Sequence, residues 1–398
     1  MSNNNSNYRW IILTIACIAI FAPNYAQYQL PPLATQIIHD LQLTPSRFSG
    51  IFTAPMIPAI FLSIAAGLLA DKFGVKRVIG VGLLISTAGT GLRIISNGYM
   101  LLFFSMVLSG FGAAFLNTNG AKVLGSWFPP EKLGTAMGIF LGASTLAMTA
   151  GMGTTAMLGG KNTAYTISAV ICSIAFVLWV VCIKTPQKEI QSDNTPMAIP
   201  ISECLGKVLK NKTVWLAGIC LMFIMGAVVI ISSFLPAILA ERKIDAVSAG
   251  AYGSAVTIGN LLGCLCIPLM AGRLGKNKPW LYMLALIAAF GAVFSWQAPQ
   301  GPVLVLSLCL TGIAMGGLMP FLMSMPIQLP EIGPAYAGTA GGFIATLQLL
   351  GAVVIPTYII GPIAGTDLRM FFLAAGICMI LVFIVTLGLP ELGRKKMT

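Results

Sequence analysis

Charge is what this sequence lacks most. Only 9% of its 398 residues are Asp, Glu, Lys or Arg, where a soluble domain carries about 25%. Hydrophobic residues make up 57% and the mean hydropathy is +0.90. One core cannot enclose that much apolar surface, so the solvent is lipid. Acid is scarcer still, with 11 carboxylates against 23 basic residues. Every acid falls in a loop or at a helix end, so none stands at mid-membrane to relay a proton. The single histidine, His39, lies beyond the first apolar run beside Asp40 and reads as a surface residue. No nucleophile–base pair or metal-ligand cluster appears, which argues against enzyme chemistry, a metal or a cofactor. The nine cysteines form no metal-spaced pair, and all but Cys204 lie in apolar runs as small apolar residues. A net charge of +12 would suit nucleic acid if it formed a patch. Here the basic residues are spread between apolar runs, which argues against that partner. No small-residue cleavage site follows the polar start MSNNNSNYRW, so the first apolar run reads as a retained membrane helix.

What is present is a series of apolar runs of about 20 residues, the length that spans a bilayer. They fall near 9–38, 48–70, 78–96, 100–125, 134–157 and 164–184, then 213–239, 248–271, 279–297, 302–326, 337–360 and 368–389. The expected fold is all-α and integral to the membrane, with 12 transmembrane helices in two bundles of six. The expected domains are 1–184 and 213–398, joined by a polar linker at 185–212. Most basic residues sit at the termini and in even-numbered loops; the other face holds only Arg47, Arg93, Lys161, Arg242, Lys243 and Arg369. By the positive-inside bias both termini are cytoplasmic, in a multi-pass protein of the plasma membrane. The halves also repeat: GLLADKFGVKR (67–77) aligns with PLMAGRLGKNK (268–278), and PPEKLGTAMG (129–138) with PEIGPAYAGTAGG (330–342). Internal repeats of this size point to pseudo-symmetric bundles around a central pathway, with a solute bound near the midplane.

The first of these loops carries a resemblance. Gly67-x-Leu-Ala-Asp71-Lys72-x-Gly74-x-Lys76-Arg77 resembles the loop between helices 2 and 3 of the major facilitator superfamily. The resemblance implies a gating charge network of Gly67, Asp71, Gly74, Lys76 and Arg77. From the residues alone, Gly74 permits a tight turn, and Asp71 can accept charge-assisted bonds from Arg77 or a helix N-terminus. The alternative is that the charges only anchor the membrane face. The second copy has Gly272 in place of Asp71 and is weaker.

Two marks of the superfamily's proton-coupled drug exporters are missing. Met106 stands where they carry an arginine in helix 4, and helix 5 has no Gly-Pro-x-x-Gly-Gly. NTNGAKVLGSWFPPEKLGTAMG (117–138) is similar instead to the organic-anion, nitrate/nitrite and cyanate-permease branches, in several of which a basic residue precedes Trp-Phe-Pro. Lys122 takes that place, five residues before Trp127 and about 7–8 Å inside the boundary. It either snorkels to water or attracts an anionic solute. Arg93, four residues before an outer loop, is the second candidate for the anion and is expected rather to snorkel outward. The helix 2 and helix 8 arginines of nitrate porters are absent, as are the helix 8 and 11 cations of oxalate-type exchangers. A monoanion or polar neutral solute fits better.

The polar groups at membrane depth supply the remaining candidates: Asn24, Tyr25 and Tyr28 in helix 1, Asn117 and Asn119 in helix 4, Asn260 in helix 8 and Gln348 in helix 11. Each amide contacts solute or ties two helices together. Gly134, Gly138 and Gly142 have the spacing of a close-packed helix 5. The reading is a monomeric secondary transporter in the lipid bilayer for a small, monoanionic organic solute, working by alternating access. The alternatives are an exporter of a neutral or amphipathic compound and a non-transporting membrane sensor.

Overall fold

A computed structural model describes residues 4–183, 201–274, 278–329 and 331–391. These residues are nearly all helical, with no strand among them. Eleven of the helices are long and apolar enough to cross a membrane. The chain divides into two compact units, Met1–Leu43 with Gly50–Thr195, and Thr44–Ser49 with Pro196–Thr398. The first carries α1 (Asn4–Tyr28), α2 (Ala34–Asp40), the end of α3 (Pro45–Thr53), α4 (Ile57–Phe73), α5 (Val75–Ile94), α6 (Tyr99–Gly125), α7 (Pro130–Thr154) and α8 (Lys161–Cys182). The second carries α9 (Ile201–Lys210), α10 (Lys212–Glu241), α11 (Ala246–Leu274), α12 (Lys278–Phe294), α13 (Pro302–Gln328), α14 (Gly333–Val354), α15 (Gly361–Ala364) and α16 (Leu368–Leu387).

Three expected spans are interrupted, each at a proline. Proline has no N–H and its ring crowds the preceding turn, so a regular helix cannot run through it unaltered. The first span stops at Tyr28, makes a tight turn over Pro31–Leu33 and resumes as α2. The second, expected near 48–70, is split into α3, a tighter turn over Ala54–Met56 containing Pro55, and the 17-residue α4. Neither piece is among the eleven crossings found in the described residues. The eleventh widens into a π-helical turn over Ile355–Ile360, beginning at Pro356. Within the expected linker, residues 201–210 form α9, while 184–200 lie outside the described residues. At the junction of α4 and α5, Gly74 takes φ +86°, the left-handed region that glycine enters without strain. The tight turn expected there is formed.

In the first unit α1 packs on α6, α7 and α8 around Ile12, Ile20, Leu116, Phe140 and Trp179. The Trp179 indole donates to the Lys76 carbonyl at 3.0 Å and fastens α8 to the start of α5. Gly110 lets α6 ride directly on the backbone of Pro55. In the second unit Asn211 caps α10, accepting from the Thr213 and Val214 amides, and also donates to Glu331 at 2.7 Å. Thr44–Ser49 belongs to this unit, with Ser46 donating to the Thr357 carbonyl at 2.6 Å.

The most extensively packed pair of described helices is α11 with α13. Gly259 and Gly263 sit on the Cys309 and Ile313 carbonyls, while Gly312 and Gly316 sit on those of Val256 and Asn260. Four glycines, two per helix at four-residue spacing, thus bring the backbones into contact, the small-residue device that replaces hydrophobic drive in lipid. The glycines of α7 do not behave this way. Gly138 and Gly142 have nothing near the position a methyl would take, so the expected close packing of helix 5 is not formed there; Gly134 lies outside the described side chains. Spacing marks a helix face that can be approached closely, not whether a neighbour occupies it.

The two sets of glycines respond oppositely to a methyl group. Gly263→Ala forces two backbones apart and is expected to cost about 1–3 kcal/mol, read as a lower unfolding temperature of the purified protein in detergent. Gly138→Ala adds a methyl to open space and improves helix propensity, so it is expected to be neutral or stabilising by up to about 1 kcal/mol.

Candidate functional site

Helix α6 separates its polar residues by helical phase. At 100° per residue, Asn117, Thr118, Ala121, Lys122 and Gly125 fall within an arc of about 140°. Asn117, Ala121, Lys122 and Gly125 are exposed and Thr118 is half-buried. Asn119 points the other way and is fully enclosed, its Nδ2 donating to the Phe115 carbonyl at 3.1 Å and to that of Ala66 on α4 at 3.3 Å. Asn119 thus ties α6 to α4. The exposed arc therefore presents one amide, one hydroxyl and one ammonium, with no carboxylate.

The α1 candidates sit deeper. Asn24, Tyr25 and Tyr28 are only 7%, 6% and 4% exposed. Asn24 donates to the Ile20 carbonyl at 2.8 Å, one turn back on its own helix. The Tyr25 hydroxyl lies 3.3 Å from Thr154 Oγ1 on α7, and its ring stacks on Phe21. Tyr28 meets Phe52 edge-on at 5.3 Å. Gly151 brings the α7 backbone against Tyr25 and Tyr28. The end of α1 is thus held on several sides. In the second unit Gln348 reaches Met225 Sδ on α10 at 3.9 Å. Asn260 is part-buried, with its backbone against Gly316. The described contacts join none of these second-unit side chains to each other.

Of the loop motif, Gly74 forms the turn, Lys76 accepts Trp179 through its carbonyl, and Arg77 is exposed. Gly67 and Asp71 lie within α4, and their side-chain surroundings are outside what the structure describes. Arg77 borders an apolar hollow of about 320 Å³ lined by Leu69, Phe73, Val78, Val81 and Phe115.

Arg93 departs furthest from expectation. Instead of snorkelling outward it is 0% exposed. Nη1 donates to the Ala26 carbonyl at 2.7 Å, and Nη2 to Gln29 Oε1 at 2.8 Å and Ser168 Oγ at 2.5 Å. The Tyr165 ring lies 4.1 Å from the guanidinium carbon. Asp40, a nearby acid in the chain, pairs instead with Lys161 at 2.5 Å. The direction of Arg93 was readable from phase: Ser86, Gly89 and Thr90 share its helix face, and all are buried. A polar stripe on a helix in lipid turns toward protein.

Known proteins agree with this architecture. The cyanate transport protein CynX of Escherichia coli K12 is 24% identical over 377 residues, covering 92% of this chain and 94% of that protein. The probable galactarate/D-glucarate transporter GarP of the same strain is 30% identical over 188 residues, 45% of this chain and 42% of its own. The crystal structure of the nucleoside transporter NupG superposes with a TM-score of 0.78 at 16% identity, covering 96% of this chain and 98% of that one. The family model of the Major Facilitator Superfamily matches residues 9–356. With its broken, lipid-facing helices and two compact units, the chain is a multi-pass membrane transporter belonging to the Major Facilitator Superfamily.

Proposed function

We propose that the chain is a secondary transporter that carries a small monoanionic organic solute across the plasma membrane by alternating access, as a monomer with both termini cytoplasmic. The observation that carries this reading is the exposed arc of α6, where Lys122 stands with Asn117 and Thr118 and the arc itself bears no carboxylate. A single ammonium beside an amide and a hydroxyl complements one negative charge and offers donors to its oxygens. A dianion calls for a second cation, and Arg93, the fully buried cation of the first unit, is committed inside the bundle. Among the relatives, one carries cyanate, a monoanion, while galactarate and glucarate, named for another, are dicarboxylates. Asn24, Tyr25 and Tyr28 in α1, and Asn260 and Gln348 in the second unit, are proposed as neutral contacts. Gly67, Asp71, Lys76 and Arg77 are proposed as the gating network hinged at Gly74. With no carboxylate at mid-span, anion exchange, facilitated diffusion or a proton riding on the solute is favoured over a carboxylate relay.

Proteoliposomes loaded against labelled cyanate, nitrate, monocarboxylates and dicarboxylates test the reading. Uptake is expected for at least one monoanion. Lys122→Gln is expected to lower its kcat/KM by about tenfold or more, the loss of one charge-assisted bond of about 1.5–3 kcal/mol, and Lys122→Arg to retain most of it. Undiminished uptake in Lys122→Gln removes Lys122 from the site; absence of flux under every gradient leaves the sensor. Orientation is tested separately: a fluorescent protein fused after Thr398 is expected to fluoresce, and an alkaline phosphatase fused there to stay inactive.

A further inference from the structure

Among the described residues Arg93 is the one charged side chain that is fully buried. A guanidinium stays charged in proteins, and burying a charge is costly unless other groups replace its water. Its described partners are a carbonyl, an amide oxygen, a hydroxyl, a thioether and an aromatic ring, none of them anionic. The missing counter-charge lies in the backbone. In an unbroken helix the Ala26 carbonyl would accept from the amide of residue 30, but Leu30 N–H turns to Gln27 at 3.2 Å. The next position is Pro31, which has no N–H. The break at the prolines therefore strands the Ala26 carbonyl at the C-terminus of a 25-residue helix. That end carries about half a negative charge, and cations are favoured there. Nη1 caps this carbonyl while Nη2 holds Gln29, the first residue past the helix, and ties it to Ser168 on α8.

We propose that Arg93 is a positioning residue: from α5 it caps the C-terminus of α1 and holds the segment 24–28 in the conformation that meets solute. The role in transport rests on the proposed contacts of Asn24, Tyr25 and Tyr28; the cap itself does not. Lysine cannot replace it fully, since one compact ammonium does not reach both the carbonyl and Gln29 as the planar fork does. Gln29→Leu removes one arm and leaves the other.

The experiment uses the purified full-length chain and two readouts. By hydrogen–deuterium exchange, Arg93→Met is expected to speed exchange at least tenfold in peptides covering 24–34. Arg93→Lys and Gln29→Leu are expected to give smaller increases in the same peptides. Segments 112–125 and 214–239 are expected to keep wild-type rates. Unchanged exchange over 24–34 overturns the cap; equal acceleration throughout the first unit reduces Arg93 to packing. If Arg93→Met does not fold, Arg93→Lys and Gln29→Leu decide the same question. In proteoliposomes with labelled cyanate, Gln29→Leu and Arg93→Lys are expected to raise KM at least fivefold while kcat stays within twofold. A fall in kcat at constant KM overturns the link to solute contact. If the wild-type chain carries no cyanate, the transport reading fails for that probe while the exchange result still decides the cap.

Discussion

Lipid offers no hydrogen bonds, so every backbone group freed inside the membrane must find a partner within the protein. Much of this structure is a response to that constraint where prolines break its helices. The Ala26 carbonyl loses its continuation at Pro31 and receives Arg93. The Phe52 carbonyl faces Pro55 three residues on, in a tight turn, and receives Gln27 at 2.9 Å. The Thr357 carbonyl, in a π-helical turn where the partner is five residues on, faces Pro362 and receives Ser46. In each case a long-range side chain supplies the donor that the break takes away. The breaks and the buried polar residues are one design: neither makes physical sense without the other.

This coupling changes how the charges are read. A basic residue near the end of an apolar run has a cheap route to water, and Lys122 on the open arc of α6 keeps its side chain exposed. Arg93 has the same formal placement but a different obligation, because the end of α1 it faces is negative. Two cations in neighbouring helices of one bundle therefore take separate roles. Arg93 stabilises backbone, and Lys122 remains on an exposed face.

The helical, membrane-spanning architecture was readable from the apolar runs, and the turn at Gly74 from the left-handed tolerance of glycine. The broken second span was less so, since hydropathy runs smoothly through Pro55 and Pro58. The site was only partly legible. Asn117 and Asn119 are equivalent by composition, and only their phase on α6, two residues apart, sets one outward and one against Ala66. The same phase argument applied to Ser86, Gly89, Thr90 and Arg93 turns Arg93 inward, against the simpler expectation from its distance to the loop. The glycines show what spacing alone cannot say. The triplet 134, 138, 142 repeats every four residues, as do the pairs 259, 263 and 312, 316. Only the pairs meet a partner helix, a fact set by tertiary arrangement.

The contact of α11 with α13 has a mechanical consequence. Where side chains separate two helices, rotamer changes let one helix slide past the other in small increments. Here carbonyls rest in the notches left by glycine, and the notches recur once per turn. Sliding would mean climbing out of four notches together, and the neighbouring notch on each helix lies four residues, about 6 Å, away. The pair consequently behaves as a single beam, stiff along its length. Bending in the second unit is left to places outside this contact, such as Pro236 in α10, Pro268 near the end of α11 or the widened turn at Ile355–Ile360.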